Sequence, residues 1–166
     1  MRGYLLDTCV VAFWHNPRLP ENAQVVSQIS SLDPQTPLRI SAITWGEIEY
    51  GHRCVSATET SPQAQFKAFL AKNLPRVLDV RQTTAIYYAQ LRAALFRKFA
   101  RQKGKKSRRP EQLVDPVSSA ELGIQENDLW IAAQAFEHNL VLVTHDKMAR
   151  IKDVAANLID LEDWTT

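Results

Sequence analysis

The chain has 166 residues, 45% hydrophobic and 23% charged, with 20 Lys and Arg against 18 Asp and Glu. That length and balance suit one globular domain with its own core and exclude a low-complexity or disordered chain. No stretch reaches the roughly 18–20 apolar residues of a membrane span. Asp7 also interrupts the N-terminus before a secretory apolar run can develop, so no membrane partner and a cytoplasmic location are expected.

Tyr4-Leu5-Leu6 predicts a short strand that ends in Asp7, with a helix over Cys9–His15. A second helix over Glu21–Leu32 places Val25, Ile29 and Leu32 on one face, and Asp33–Pro37 is a turn. Leu38–Ile40 reads as a strand, followed by Ser41 as the cap of a helix that runs through Glu47 to about Arg53. Beyond the polar loop Ser56–Pro62, Gln63–Asn73 is helical with Phe66, Phe69 and Leu70 inward. Val77–Val80 is a strand candidate. The longest helix runs from Thr83 to about Gln102, with Tyr88, Leu91, Leu95 and Phe99 on one stripe. Lys103–Gly123 has no periodicity and contains two prolines, so it reads as a long loop. Asn127 is a plausible N-cap for a helix with Leu129, Ala132, Ala133 and Phe136 on one face, and Asn139 can end it in a left-handed conformation. Leu140–Val143 has the continuous apolar character of a strand covered on both sides. Ala149–Val154 is a short helix, Leu158–Leu161 a last strand, and Trp164 covers the core's edge. Strands alternating with helices predict an α/β domain with a mainly parallel sheet. Cys9 and Cys54 lie in no metal-ligand spacing and are expected to be reduced core thiols.

The small net charge hides an asymmetry. Between Arg97 and Arg109 eight residues are basic and none is acidic, which leaves 12 basic against 18 acidic residues elsewhere. A polyanion-binding protein has this polarity, and so does an acidic body with one solvated loop.

Three acids lie just beyond an apolar strand or at a helix start: Asp7, Asp128 and Asp146. Glu47 lies about a turn and a half into a helix that itself begins at a strand end. In an open parallel sheet, groups past the carboxyl ends of the strands line the ligand crevice. Converging carboxylates repel until a cation joins them, and oxygen ligands of this type suit magnesium or manganese. Taken alone, each acid has an ordinary structural role: a helix cap, a first-turn charge, a turn residue or half of an ion pair.

LLDTCVVAFW, ISAITWGEIEYG, NDLWIAAQA and LVLVTHD, in that order, resemble the four signature blocks of PIN-domain ribonucleases, most closely the VapC-type toxins of toxin–antitoxin pairs. The resemblance runs from Leu5 to Asp146. It implies a PIN-like three-layer α/β/α sandwich over residues 1–166, with a short, mainly parallel sheet surrounded by helices. It also implies magnesium or manganese held by Asp7, Glu47, Asp128 and Asp146. Thr144 matches a Ser/Thr that supports the metal site, and Thr8 and Ser41 occupy comparable polar positions. RNA hydrolysis to 5′-phosphate and 3′-hydroxyl ends, a homodimer and a small antitoxin partner are implied by the same resemblance. The alternatives are a silent PIN-like module that binds RNA or protein, and a nuclease of RNA processing. Two features depart from the pattern: the fourth block continues Lys147-Met148-Ala149-Arg150 instead of an Asp-Phe pair, and Lys103–Gly123 is long for its place. Lys103, Lys105, Lys106, Arg108 and Arg109 there are candidate phosphate contacts, with a solvated loop as the other reading.

Secondary candidates carry less weight. Glu121 and Glu126 flank the third block, where solvation at the surface is the expected role. His145 adjoins Asp146 and could carry a proton near neutral pH. Trp14, Trp45 and Trp130 are expected to pack rather than to stack on bases.

Overall fold

The sheet has five strands in the order β3-β2-β1-β4-β5, every neighbouring pair parallel. The strands are β1 (Tyr4–Leu6), β2 (Leu38–Ser41), β3 (Val77–Leu78), β4 (Val141–Val143) and β5 (Leu161–Glu162). The structure is a computed structural model and describes residues 2–99, 109–115, 117–145, 151–155 and 157–166. Among these, seven α-helices occur: α1 (Thr8–His15), α2 (Asn22–Ser31), α3 (Ala42–Val55), α4 (Ser61–Asn73), α5 (Gln82–Phe99), α6 (Glu126–Glu137) and α7 (Lys152–Ala155). No described helix is long and apolar enough to cross a membrane.

Alternation along the strands builds the layers, because successive side chains leave a strand on opposite faces. Leu5 and Leu142 enter one core with Leu91 and Leu95 of α5, Leu129, Ala132 and Ala133 of α6, and Ala155 of α7. Leu6, Ile40 and Val143 enter the other with Val10 and Val11 of α1, Val25 of α2, and Phe66 and Leu70 of α4. Helices therefore cover both faces, in the expected α/β/α sandwich. Residues Leu140 to Val143 are all buried, as their continuous apolar run requires. Gly3 is fixed by close packing: a β-carbon there would lie 2.6 Å from the Pro37 carbonyl oxygen.

The end of α6 agrees closely with the sequence. Asn139 has φ 51°, and the Leu140 N–H reaches back to the Ala135 carbonyl at 2.9 Å, which closes the helix and turns the chain into β4. At the same end, the Glu137 carboxylate accepts hydrogen bonds from Thr83 and Thr84 at the start of α5. Burial alone would push this carboxyl up. The two hydroxyl bonds and the charges of His138 and Arg81 outweigh burial and hold it below its ordinary value. A depressed folded pKa contributes stability that is complete above the unfolded carboxyl value, about 4.3, and is lost as pH falls through the folded value. Glu137→Gln should therefore lower the urea midpoint at pH 7 and bring it close to wild type at the acid end. Parallel curves at both pH values would refute the linkage.

Four expectations need correction. Cys54 is exposed on α3 and is no core thiol, whereas Cys9 is half-buried and packs against the second core. Helix α6 is capped by Gln125, not Asn127. The last strand lies at Leu161–Glu162, because the N–H groups of Leu158 and Ile159 bond back to Ala155 and prolong the turn of α7. Finally, the described part of Lys103–Gly123 is not a structureless loop. Pro110–Gln112 forms a 3₁₀ turn, Val114 pairs antiparallel with Glu121, and Leu113 and Leu122 are buried.

Candidate metal and nuclease site

With strand order 3-2-1-4-5, successive connections leave β1 in one direction and β4 in the other. The crevice between the carboxyl ends of β1 and β4 is therefore the topological switch point, where α/β sheets bind ligands. Asp7 stands directly past β1 and Thr144 directly past β4. Their backbones continue the ladder, Asp7 N–H to the Val143 carbonyl and Thr144 N–H to the Glu162 carbonyl, each at 3.0 Å. The Thr144 hydroxyl donates to Asp7 Oδ2 at 2.9 Å, across the switch point. Both residues are buried, at 4% exposure each.

The two aspartates are also held by their own elements. Asp7 is the N-cap of α1, and its Oδ1 accepts from the Thr8 N–H at 2.7 Å. Cys9 Sγ lies 3.4 Å from Asp7 Oδ2. Asp128 closes a capping box on α6, accepting from the Gln125 N–H at 2.7 Å. An acid in a helix's first turn also faces the positive end of the helix dipole. Glu47, half-buried on α3, has no such backbone anchor among the described residues. Its Oε2 accepts from the Thr8 hydroxyl and its Oε1 from Asn127 Nδ2 at 2.8 Å. Hydrogen bonds thus run from Thr144 through Asp7, Thr8 and Glu47 to Asn127, the residue before Asp128 in the chain. A cavity of about 290 Å³ opens beside this series, lined by Ala42, Ile43, Gly46, Glu47, Tyr50 and Asn127.

The sequence candidates fall into distinct groups. Asp7, Thr8, Glu47 and Thr144 are joined by hydrogen bonds, and Asp128 lies in the first turn of α6, next to the Asn127 that reaches Glu47. Ser41, fully buried, accepts from the Ile43 N–H at 2.9 Å and starts α3, and makes no described contact with the carboxylates. Asp146, Lys103, Lys105, Lys106 and Arg108 lie outside the described residues. Arg109 is exposed at the start of the 3₁₀ turn. Asn127, which reads as a cap in the sequence, makes a contact that the sequence does not announce; its only signal was its place beside Asp128. Glu126 is more than a solvated acid: it accepts from Tyr88 and, at 3.1 Å, from Arg92. Burial, then the Glu126 carboxylate, push the Tyr88 phenol up to about 12, so it remains a neutral donor to that acid. Trp130 stacks flat on Tyr88 at 4.0 Å, and Trp14 packs edge-on against Phe69, while Trp45 lies against the second core. His145 is tied to Asp163 at 3.0 Å and to Thr165 at 2.7 Å.

Buried carboxylates at a parallel-sheet edge fit a hard divalent ion by the chemistry of their oxygens. Among the described residues, no three of His, Cys, Asp and Glu converge on one point. The amide and hydroxyl of Thr8 link Asp7 to Glu47 instead, and the Asp146 position lies beyond the described residues.

The PIN domain family matches residues 4–157. No curated protein matches the chain. Among solved structures, VapBC2 from Rickettsia felis bound to a promoter DNA fragment superposes with a TM-score of 0.65 at 22% identity, covering 97% of this chain and 98% of that one. VapBC-1 from nontypeable Haemophilus influenzae gives 0.64 at 24% identity, covering 98% of each chain. VapBC-5 from Mycobacterium tuberculosis, of the VapBC family of toxin–antitoxin systems, gives 0.54 at 24% identity, again covering 98% of each. At these identities the likeness is one of fold.

Proposed function

The chain belongs to the PIN domain family, and we propose that it is a magnesium- or manganese-dependent endoribonuclease, the toxin of a type II toxin–antitoxin pair. Residues 1–166 form one nuclease domain acting in the cytoplasm as a homodimer, with a small antitoxin as its partner. The observation that carries this reading is the Asp7–Thr144 bond across the switch point, with Glu47 joined to it through Thr8 and held from α6 by Asn127, the neighbour of Asp128. The toxin–antitoxin complexes of similar fold support the antitoxin.

Asp7, Glu47, Asp128 and Asp146 would supply oxygen ligands. A divalent ion held there would lower the pKa of a water so that it gives up a proton and attacks as hydroxide, and would offset the charge that builds on the phosphoryl oxygens. The chain's own residues set the geometry. Thr144 holds Asp7 Oδ2, the Thr8 amide holds Oδ1, and the Gln125 amide holds Asp128. The attacking oxygen ends on the 5′-phosphate, and the leaving 3′-oxygen takes a proton. Lys103, Lys105, Lys106, Arg108 and Arg109 add RNA affinity that weakens with salt.

The test is purified protein with total RNA, with manganese and with chelator, followed by mapping of the cut ends. Internal cuts with 5′-phosphate ends that vanish with chelator are expected. RNA left intact in manganese would overturn the nuclease reading and favour a silent PIN-like module that binds RNA or protein.

A further inference from the structure

We infer that Asn127 is a positioning residue which, together with Thr8, holds Glu47 in register with the two buried aspartates. The inference rests on the nuclease reading and deepens it.

The three acids are not fixed in the same way. Asp7 and Asp128 have short side chains locked by backbone N–H groups of their own helices. Glu47 has a longer side chain with more rotatable bonds, sits half-buried on α3, and among the described residues is held only by side chains. One comes from each neighbouring element: Thr8, the residue after Asp7, on Oε2, and Asn127, the residue before Asp128, on Oε1. Removing either donor frees one oxygen and lets the carboxylate rotate toward the cavity it borders. Ordering it again at the moment of ligand binding costs side-chain entropy.

The chemistry of the donor is also suited to the place. A carboxamide can hold a carboxylate without bringing a positive charge. A lysine or arginine in its position would neutralise Glu47 and compete with a cation for it. An aspartate would repel it. Asn127 thus orients an anionic ligand while leaving its charge intact, as groups behind a metal ligand commonly do.

A purely structural Asn127 would join α3 to α6 and nothing more, so the experiment separates the two roles. Melting temperature is followed against manganese concentration for wild type, Asn127→Ala, Asn127→Leu, Thr8→Val, Glu47→Gln and Glu47→Gln/Asn127→Ala, with RNA cleavage measured in parallel. Asn127→Leu keeps the volume without the donor and guards against a simple packing loss in Asn127→Ala. The manganese midpoint is expected to rise about 10- to 100-fold in Asn127→Ala and Asn127→Leu. The turnover number should fall by a similar factor, with little change in KM for RNA. In the Glu47→Gln background, Asn127→Ala should add no further shift, since both act through the same carboxylate. The inference is overturned if the Asn127 variants titrate within twofold of wild type, or lose as much in the Glu47→Gln background as alone. A fall in metal-free melting temperature with an unmoved midpoint also overturns it and leaves a structural role. If wild type itself neither cuts RNA nor responds to manganese, the nuclease reading falls first. If wild type does both and the Asn127 variants match it, only the present inference falls.

Discussion

Asp7→Asn and Asp128→Asn are each expected to lower RNA cleavage in manganese about a thousandfold, the factor that roughly 4 kcal/mol of lost transition-state stabilisation gives. The folded state should survive both changes. Asparagine is as good an N-cap as aspartate, so the Asp7 position can still accept from the Thr8 N–H and start α1. The Thr144 hydroxyl can turn to accept from the new amide. At the Asp128 position the amide oxygen can keep the bond from the Gln125 N–H. The loss is one of negative charge in a buried crevice, where a cation requires it. Cleavage should therefore collapse while the metal-free melting temperature moves little, and the manganese-induced rise in melting temperature should shrink by mass action. Kinetics on one labelled RNA, with melting curves on the same preparations, separate the two effects. Variants that cut as fast as wild type would remove these aspartates from the chemistry.

Where the sequence was legible, the signal was local. The Tyr4–Leu6 and Leu140–Val143 runs announce strands, and the next residue after each run, Asp7 or Thr144, inherits its place at the sheet edge from the strand alone. The stripe of Leu91 and Leu95 and the face of Leu129, Ala132 and Ala133 come from helical period, and all five are buried. The features that were not legible depend on contacts between distant segments. The start of α6 is one case: Glu111, fifteen residues upstream, accepts from the Glu126 N–H at 2.8 Å, and the helix begins one residue before Asn127. That shift frees the Asn127 amide for Glu47, eighty residues away. Gln134 is another: fully buried on α6, it donates to the Leu78 and Asp79 carbonyls at 3.0 Å each and covers the end of β3. Composition alone puts Cys54 in the core, whereas its place on α3 faces solvent. No periodicity in a single helix reports which partner will be absent.

The hairpin before α6 gives the second large effect. Leu122→Ala is expected to cost about 2–5 kcal/mol, as removal of a fully buried leucine does where the cavity cannot collapse. A solvated loop, which is how this stretch reads from its prolines and charges, would change by less than about 0.5 kcal/mol. The structure gives the reason for the larger value. Leu122 is 1% exposed, Leu113 and Ile124 are buried in the same core as α5 and α6, and the Leu122 N–H bonds to the Leu113 carbonyl at 3.0 Å. The turn between them is tied by Asp115, whose carboxylate accepts from the N–H groups of Val117 and Ser118, and by its own N–H to the Ala120 carbonyl at 2.8 Å. Val117, 94% exposed at the tip, is the internal control, and Val117→Ala should be neutral. In urea, Leu122→Ala should lower the midpoint with an unchanged slope, since the loss lies in native packing. The consequence reaches the site, because the 3₁₀ turn that leads into this hairpin brings Glu111 onto the first turn of α6, where Asp128 lies. Glu111→Ala should therefore weaken manganese binding while costing far less stability than Leu122→Ala. A neutral Leu122→Ala would mean that the hairpin does not anchor α6, and the position of Asp128 would then depend on α6 packing alone.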